Sequence, residues 1–160
     1  MSDAPESIKS RPAGSASEAT PSARALARRH LTIGWFSLLV FVALGGVLEA
    51  MHGFKVDWYL AVGNETQRLL WRLAHAHGTF LSLVHIAFAV TAERCLGSGP
   101  RFASACLSSA TIALPGGFLL GAFGVRGGDP GIGIALVPFG LVLLVLAIVS
   151  ILRALRATVA

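Results

Sequence analysis

The chain has 160 residues, 54% hydrophobic and 13% charged, with a mean hydropathy of +0.72. A soluble domain carries about a quarter charged residues, so this composition excludes an ordinary soluble fold and points to a membrane protein. The formal net charge is +5, but the arginines flank apolar runs, as the positive-inside rule expects, and no nucleic-acid partner is expected.

Residues 1–22 are rich in Ser, Ala, Pro, Glu and Gly. They cannot bury enough surface to offset the entropy of ordering the chain. Residues 1–29 are therefore read as a disordered basic tail in the cytoplasm. Residues 30–157 are read as a membrane domain with apolar runs at about 31–51, 73–92, 102–123 and 132–152. Each run has the roughly twenty residues that a 30 Å hydrocarbon core requires. The predicted fold is all-α, a four-helix transmembrane bundle. The first run follows Arg24, Arg28 and Arg29 but is too long for a signal-peptide core, so it is read as an uncleaved helix.

Asn64, with Gln67 three residues later, predicts a capped helix start. That helix begins in the interface around Trp71 and enters the bilayer near Leu73. The Gly97-Ser98-Gly99-Pro100 stretch breaks it. Pro115-Gly116-Gly117 is expected to kink or loosen the third span. Arg126–Gly131 forms the next turn, and Arg153 and Arg156 close the fourth span. Gly117-x-x-x-Gly121 is a GxxxG pattern and is assigned to packing within the chain. Asn64-Glu65-Thr66 matches a glycosylation sequon. Cys95 and Cys106 lack CxxC spacing and are read as small apolar fillers.

Lys9, Arg11, Arg24, Arg28, Arg29, Arg94, Arg101, Arg153 and Arg156 gather on one side, against Lys55, Arg68, Arg72 and Arg126 on the other. This asymmetry predicts both termini in the cytoplasm, with the inner membrane of a bacterium as the expected location.

Two polar groups stand out. Antiparallel first and second spans bring Glu49 level with His75 and His52 level with Arg72, with His77 slightly deeper. Glu49, His52, His75 and His77 are the candidate ligand or proton-relay cluster, and Arg72 is a possible ion-pair partner of Glu49. Glu49 and His52 share a helix face. His75 and His77 lie about 200° apart around a helix, so one of them, His75, is expected to face Glu49. Glu49, His52 and His75 would make a three-ligand set for zinc or copper. The plain alternative is an interfacial hydrogen-bonded cluster. A di-iron site is not expected, because Glu-x-x-His occurs once and no second intramembrane acid is present.

His85 sits inside the second apolar run, where an ionisable group is costly and therefore a functional suspect. Gly78, Ser82, His85, Ala89 and Ala92 form a stripe of small and polar residues, the pattern of a close helix contact. Ser108, Ser109 and Thr111 lie at similar depth in the third span. The expectation is a neutral His85 facing protein and bonded to one of these hydroxyls. A b-type haem would need a second axial ligand at that depth on a facing helix, and the first span offers Leu39 at the corresponding level.

Leu120-Gly121-Ala122-Phe123-Gly124 resembles a stretch in an uncharacterised family of small bacterial four-span proteins. There it lies near the N-terminus and precedes a histidine; here Val125-Arg126 follows it. His75-Ala76-His77-Gly78 loosely resembles histidine pairs in membrane haem and copper proteins. Each likeness covers about five residues, and neither carries a function to this chain.

The first expectation is a non-enzymatic integral membrane protein. Its Glu/His cluster would have a packing, accessory or partner-binding role, and no cofactor is expected. The competing class is a redox accessory protein binding zinc, copper or haem b. The third is a small oligomeric proton-linked transporter or channel using Glu49 and His85. The partners expected are the lipid bilayer and other membrane proteins or further copies of the chain.

Overall fold

The computed structural model describes residues 21–95 and 101–159, without the side chains of 93–95 and 158–159. Among these residues, α1 spans Pro21–Gly53, α2 Asp57–Leu60, α3 Glu65–Cys95, α4 Arg101–Phe123 and α5 Leu136–Val159. Short 3-10 turns at Val62–Asn64 and Ile132–Ala135 lead into α3 and α5. Four helices, α1, α3, α4 and α5, are long and apolar enough to cross a membrane.

Helix α1 begins well before the first apolar run. Pro21 is the first described residue of this helix. Ala23, Ala25, Leu26 and Ala27 follow as strong helix formers, and Ala23 and Ala27 are buried. Residues 21–29, expected in the tail, are thus helical; the rest of that tail, the break at 96–100 and the Cys95 side chain lie outside the described residues.

The C-terminus of α1 is closed by a Schellman motif. Val56 N–H donates to the Met51 carbonyl at 3.0 Å and Lys55 N–H to the His52 carbonyl at 3.1 Å. Lys55 takes the left-handed conformation, with φ of 52°. Asn64 does precede α3, but its side-chain amide donates to the Trp58 carbonyl at 2.7 Å. It therefore ties α3 to α2. Arg68 donates to the Tyr59 carbonyl and holds the same connection.

Helix α4 continues through Pro115. Proline has no N–H, so the Thr111 carbonyl lacks its usual helical donor. Between α4 and α5 the chain reverses in a tight hairpin. Arg126 and Asp129 exchange backbone hydrogen bonds of 3.1 and 3.0 Å. Gly127 and Gly128, with φ of 59° and 92°, supply the positive dihedrals.

Packing follows chain order. The extensive contacts are α1 with α3, α3 with α4 and α4 with α5. The α1–α3 contact is an interlocked seam. His30, Gly34, Ser37, Phe41, Gly45 and Leu48 repeat at intervals of three and four residues along α1. They meet the small and polar stripe of α3. The His75 ring lies over Gly45, and the Phe41 ring lies over Gly78. A Cβ at Gly34 would fall 2.7 Å from Ile86 Cγ1. Helices α3 and α4 join through a core that includes Leu81, Phe88, Leu107, Leu114 and Phe118. Helix α5 closes on α4 where Gly140 meets the Leu114 backbone and Gly117 meets Val137. Trp35, Phe36 and Leu39 on α1 and Phe139, Leu141 and Val142 on α5 stay exposed, as lipid-facing residues would.

Candidate functional site

The seam places two histidines in contact. Helix α1 already runs from Pro21 through the residues before the apolar run, so His30 lies within it and points inward, completely buried. His85 on α3 is equally buried. Their rings stack with centroids 4.8 Å apart and planes 23° apart, and the two Nδ1 atoms are 2.7 Å from each other. Phe88 closes on the His30 ring edge-on at 4.6 Å.

Both outer nitrogens find hydroxyls on α4. His30 Nε2 is 2.7 Å from Ser104 Oγ, and His85 Nε2 is 2.9 Å from Thr111 Oγ1. Four side chains from three helices therefore form one continuous hydrogen-bonded chain. Its polarity can be deduced. Thr111 donates its hydroxyl proton to the Leu107 carbonyl at 2.9 Å, so it accepts from His85 Nε2–H. In neutral rings, His85 Nδ1 then accepts from His30 Nδ1–H. His30 Nε2 accepts from the Ser104 hydroxyl. Every donor in that sequence is used.

Sequence reasoning pairs His85 with a hydroxyl of the third span, and Thr111 is that hydroxyl in the structure. It misses Ser104 as a site residue and misses His30 altogether. Of the other hydroxyls expected near His85, Ser109 is exposed and Ser108 Oγ is buried without a partner among the described residues. One turn along α3, Ser82 donates to Ser37 of α1 at 2.7 Å, which continues the polar seam.

The expected outer cluster is spread over different faces. Glu49, His52 and Arg72 are exposed. His75 is half-buried toward α1, and its Nδ1–H donates to the Phe41 carbonyl at 2.7 Å. His77 turns the other way. Its Nδ1–H donates to the Leu73 carbonyl at 2.8 Å, and its ring rests 4.9 Å from that of Phe118. The two rings thus diverge, as the 200° separation requires.

Among the described residues, no three His, Cys, Asp or Glu side chains converge to hold a metal ion. Glu49, His52 and His75 therefore do not form a ready ligand set. His30 supplies the facing-helix histidine that a haem at His85 would need, but the two Nδ1 atoms are too close to bracket a metal. At about 2.0 Å per metal–nitrogen bond, a linear pair needs roughly 4 Å, against the 2.7 Å observed. What this arrangement can do chemically is hold three helices together and pass a proton along its length. No known protein family, curated protein or solved structure matches the chain.

Proposed function

We propose that this is a small integral membrane protein without catalytic activity, in which the buried histidines serve helix packing. The exposed Glu49 and His52 then remain available to partners in an accessory role. The observation that carries this reading is the complete engagement of the histidine pair. All four ring nitrogens of His30 and His85 face a partner within the fold, which leaves none for a metal or substrate. The nine-to-four split of Lys and Arg supports cytoplasmic termini.

Optical spectra and metal analysis of the purified full chain test the proposal. Absence of a Soret band and of stoichiometric zinc or copper is the expected result. A metal or haem present one-to-one and lost on His30→Phe would overturn it. A second reading, proton transfer through the pair, is favoured by the continuity of the four-membered chain. It predicts that His85→Phe abolishes proton uptake into vesicles containing the protein while the helices stay folded.

A further inference from the structure

The junction of α1, α3 and α4 can be counted proton by proton. Three gaps follow one another: Ser104 to His30, His30 to His85, and His85 to Thr111, at 2.7, 2.7 and 2.9 Å. Each is a hydrogen-bond distance and holds one hydrogen. In the neutral pair the rings supply two of the three, and Ser104 supplies the third. A proton delivered to His30 Nε2 changes the first gap alone. The ring then donates and Ser104 Oγ accepts. The serine hydrogen turns to a backbone carbonyl of its own helix, as Thr111 already does with Leu107. No hydrogen bond of the chain is lost, and all three now start from a charged donor, which strengthens them.

A second proton meets the opposite outcome. Both Nδ1 atoms would carry hydrogens and point them at each other across 2.7 Å. Two charges on rings 4.8 Å apart would also repel. Both rings are fully buried, and Phe88 closes on His30 edge-on, so neither can turn a hydrogen to water. The charged group acting on both rings is Arg29, next to His30 on α1, a further obstacle to a second charge. Arg101 opens α4 one turn before Ser104, and Arg153 and Arg156 close α5 at the same end; all three are exposed. The side chains of Glu93 and Arg94 on α3 lie outside the described residues. The described carboxylates, Glu49, Asp57, Glu65 and Asp129, stand toward the opposite end of the helices. A charge on the pair is therefore held by spreading over two rings and three hydrogen bonds.

We propose that His30 and His85 act as one acid–base group, a binding site for a single proton that both rings share and that Ser104 registers by turning its hydroxyl. The inference rests on the pair being the junction of three helices and needs neither transport nor a cofactor. It makes that junction a two-state element, neutral or singly charged. The direction of the α1–α4 hydrogen bond differs between the two states.

The test uses the full chain in nanodiscs of dimyristoylphosphatidylcholine, with its histidines labelled with nitrogen-15. The sample is acidified stepwise while the ring nitrogen resonances are followed. Those of His30 and His85 should move together at one midpoint, with one proton gained between them before the chain unfolds. Ser104→Ala should weaken proton binding by roughly fivefold or more, because a hydrogen bond from a charged donor is worth more than a neutral one. His30→Gln should move the His85 midpoint by about tenfold or more in acidity, the mark of strongly interacting sites. Two protons gained in the folded chain, two separate midpoints, or rings that stay neutral until unfolding would each overturn the assignment. So would an unchanged His85 midpoint in His30→Gln. If that variant does not fold, the count in the unaltered chain decides alone. A count of two would strike the shared site and leave the packing role, which the optical spectra and metal analysis test on their own.

Discussion

Replacing His85 by leucine takes away two hydrogen bonds, each made to a buried group. The groups are the Nδ1–H of His30 and the Thr111 hydroxyl. A buried polar group without a partner costs about 1–3 kcal/mol. Interhelical hydrogen bonds in membranes average about 0.6 kcal/mol and reach about 1.7. Thr111 keeps its bond to Leu107, so most of the loss falls on His30, and a destabilisation of about 1–3 kcal/mol is expected. His30→Leu should cost about 1–2 kcal/mol, because Ser104 can turn to a carbonyl of its own helix and only His85 Nδ1 is left bare. If the sites were independent, the double variant would lose the sum. It should instead lose about as much as the worse single variant, because each ring's burial is unfavourable mainly when the other is missing. A double-mutant cycle by reversible unfolding in mixed micelles should therefore give a coupling of about 1–2 kcal/mol. Additivity within about 0.3–0.5 kcal/mol, the behaviour of uncoupled sites, would refute the reasoning.

Three further outcomes are expected. Lys55→Gly should stabilise the chain by up to about 1 kcal/mol, because glycine removes the left-handed penalty at the end of α1 and gives back part of it in the unfolded chain; a lower melting temperature for the variant would count against the cap. Gly78→Ala should cost about 1–3 kcal/mol, since the new methyl meets the Phe41 ring, and crosslinking between α1 and α3 should report the loosened seam. Reporter fusions should place Ala160 in the cytoplasm and Pro130 outside; the reverse pattern would invert the orientation.

The spans were legible because twenty apolar residues have few alternatives in water. The inward direction of His85 was legible too, because its stripe of Gly78, Ser82 and Ala89 marks a helix contact. Its partner was not. His30 follows Arg28-Arg29 and reads as a flank of the first span, and only the early start at Pro21 makes it an interior residue. A signal was nonetheless present: stepping back from Gly45 through Phe41, Ser37 and Gly34 at intervals of four, four and three lands, four residues further, on His30. Glu49 shows the opposite limit. Matching depths along antiparallel helices says nothing about direction around the axis. The seam residue is Leu48, and its neighbour Glu49 is turned outward into exposure.

The sequential pairing of the helices bears on how the chain assembles. Each helix finds its main neighbour in the next one synthesised, so the native arrangement has little need of distant segments and low topological cost. The α1–α3 and α4–α5 hairpins can insert one after the other as units. Among the described residues, two side-chain hydrogen bonds cross between them, His30 to Ser104 and His85 to Thr111. Without α4, His30 Nε2 and His85 Nε2–H of the first hairpin lack their hydroxyl partners. Ser104 and Thr111 stand seven residues, about two turns, apart on α4, so one face of that helix satisfies both histidines at once.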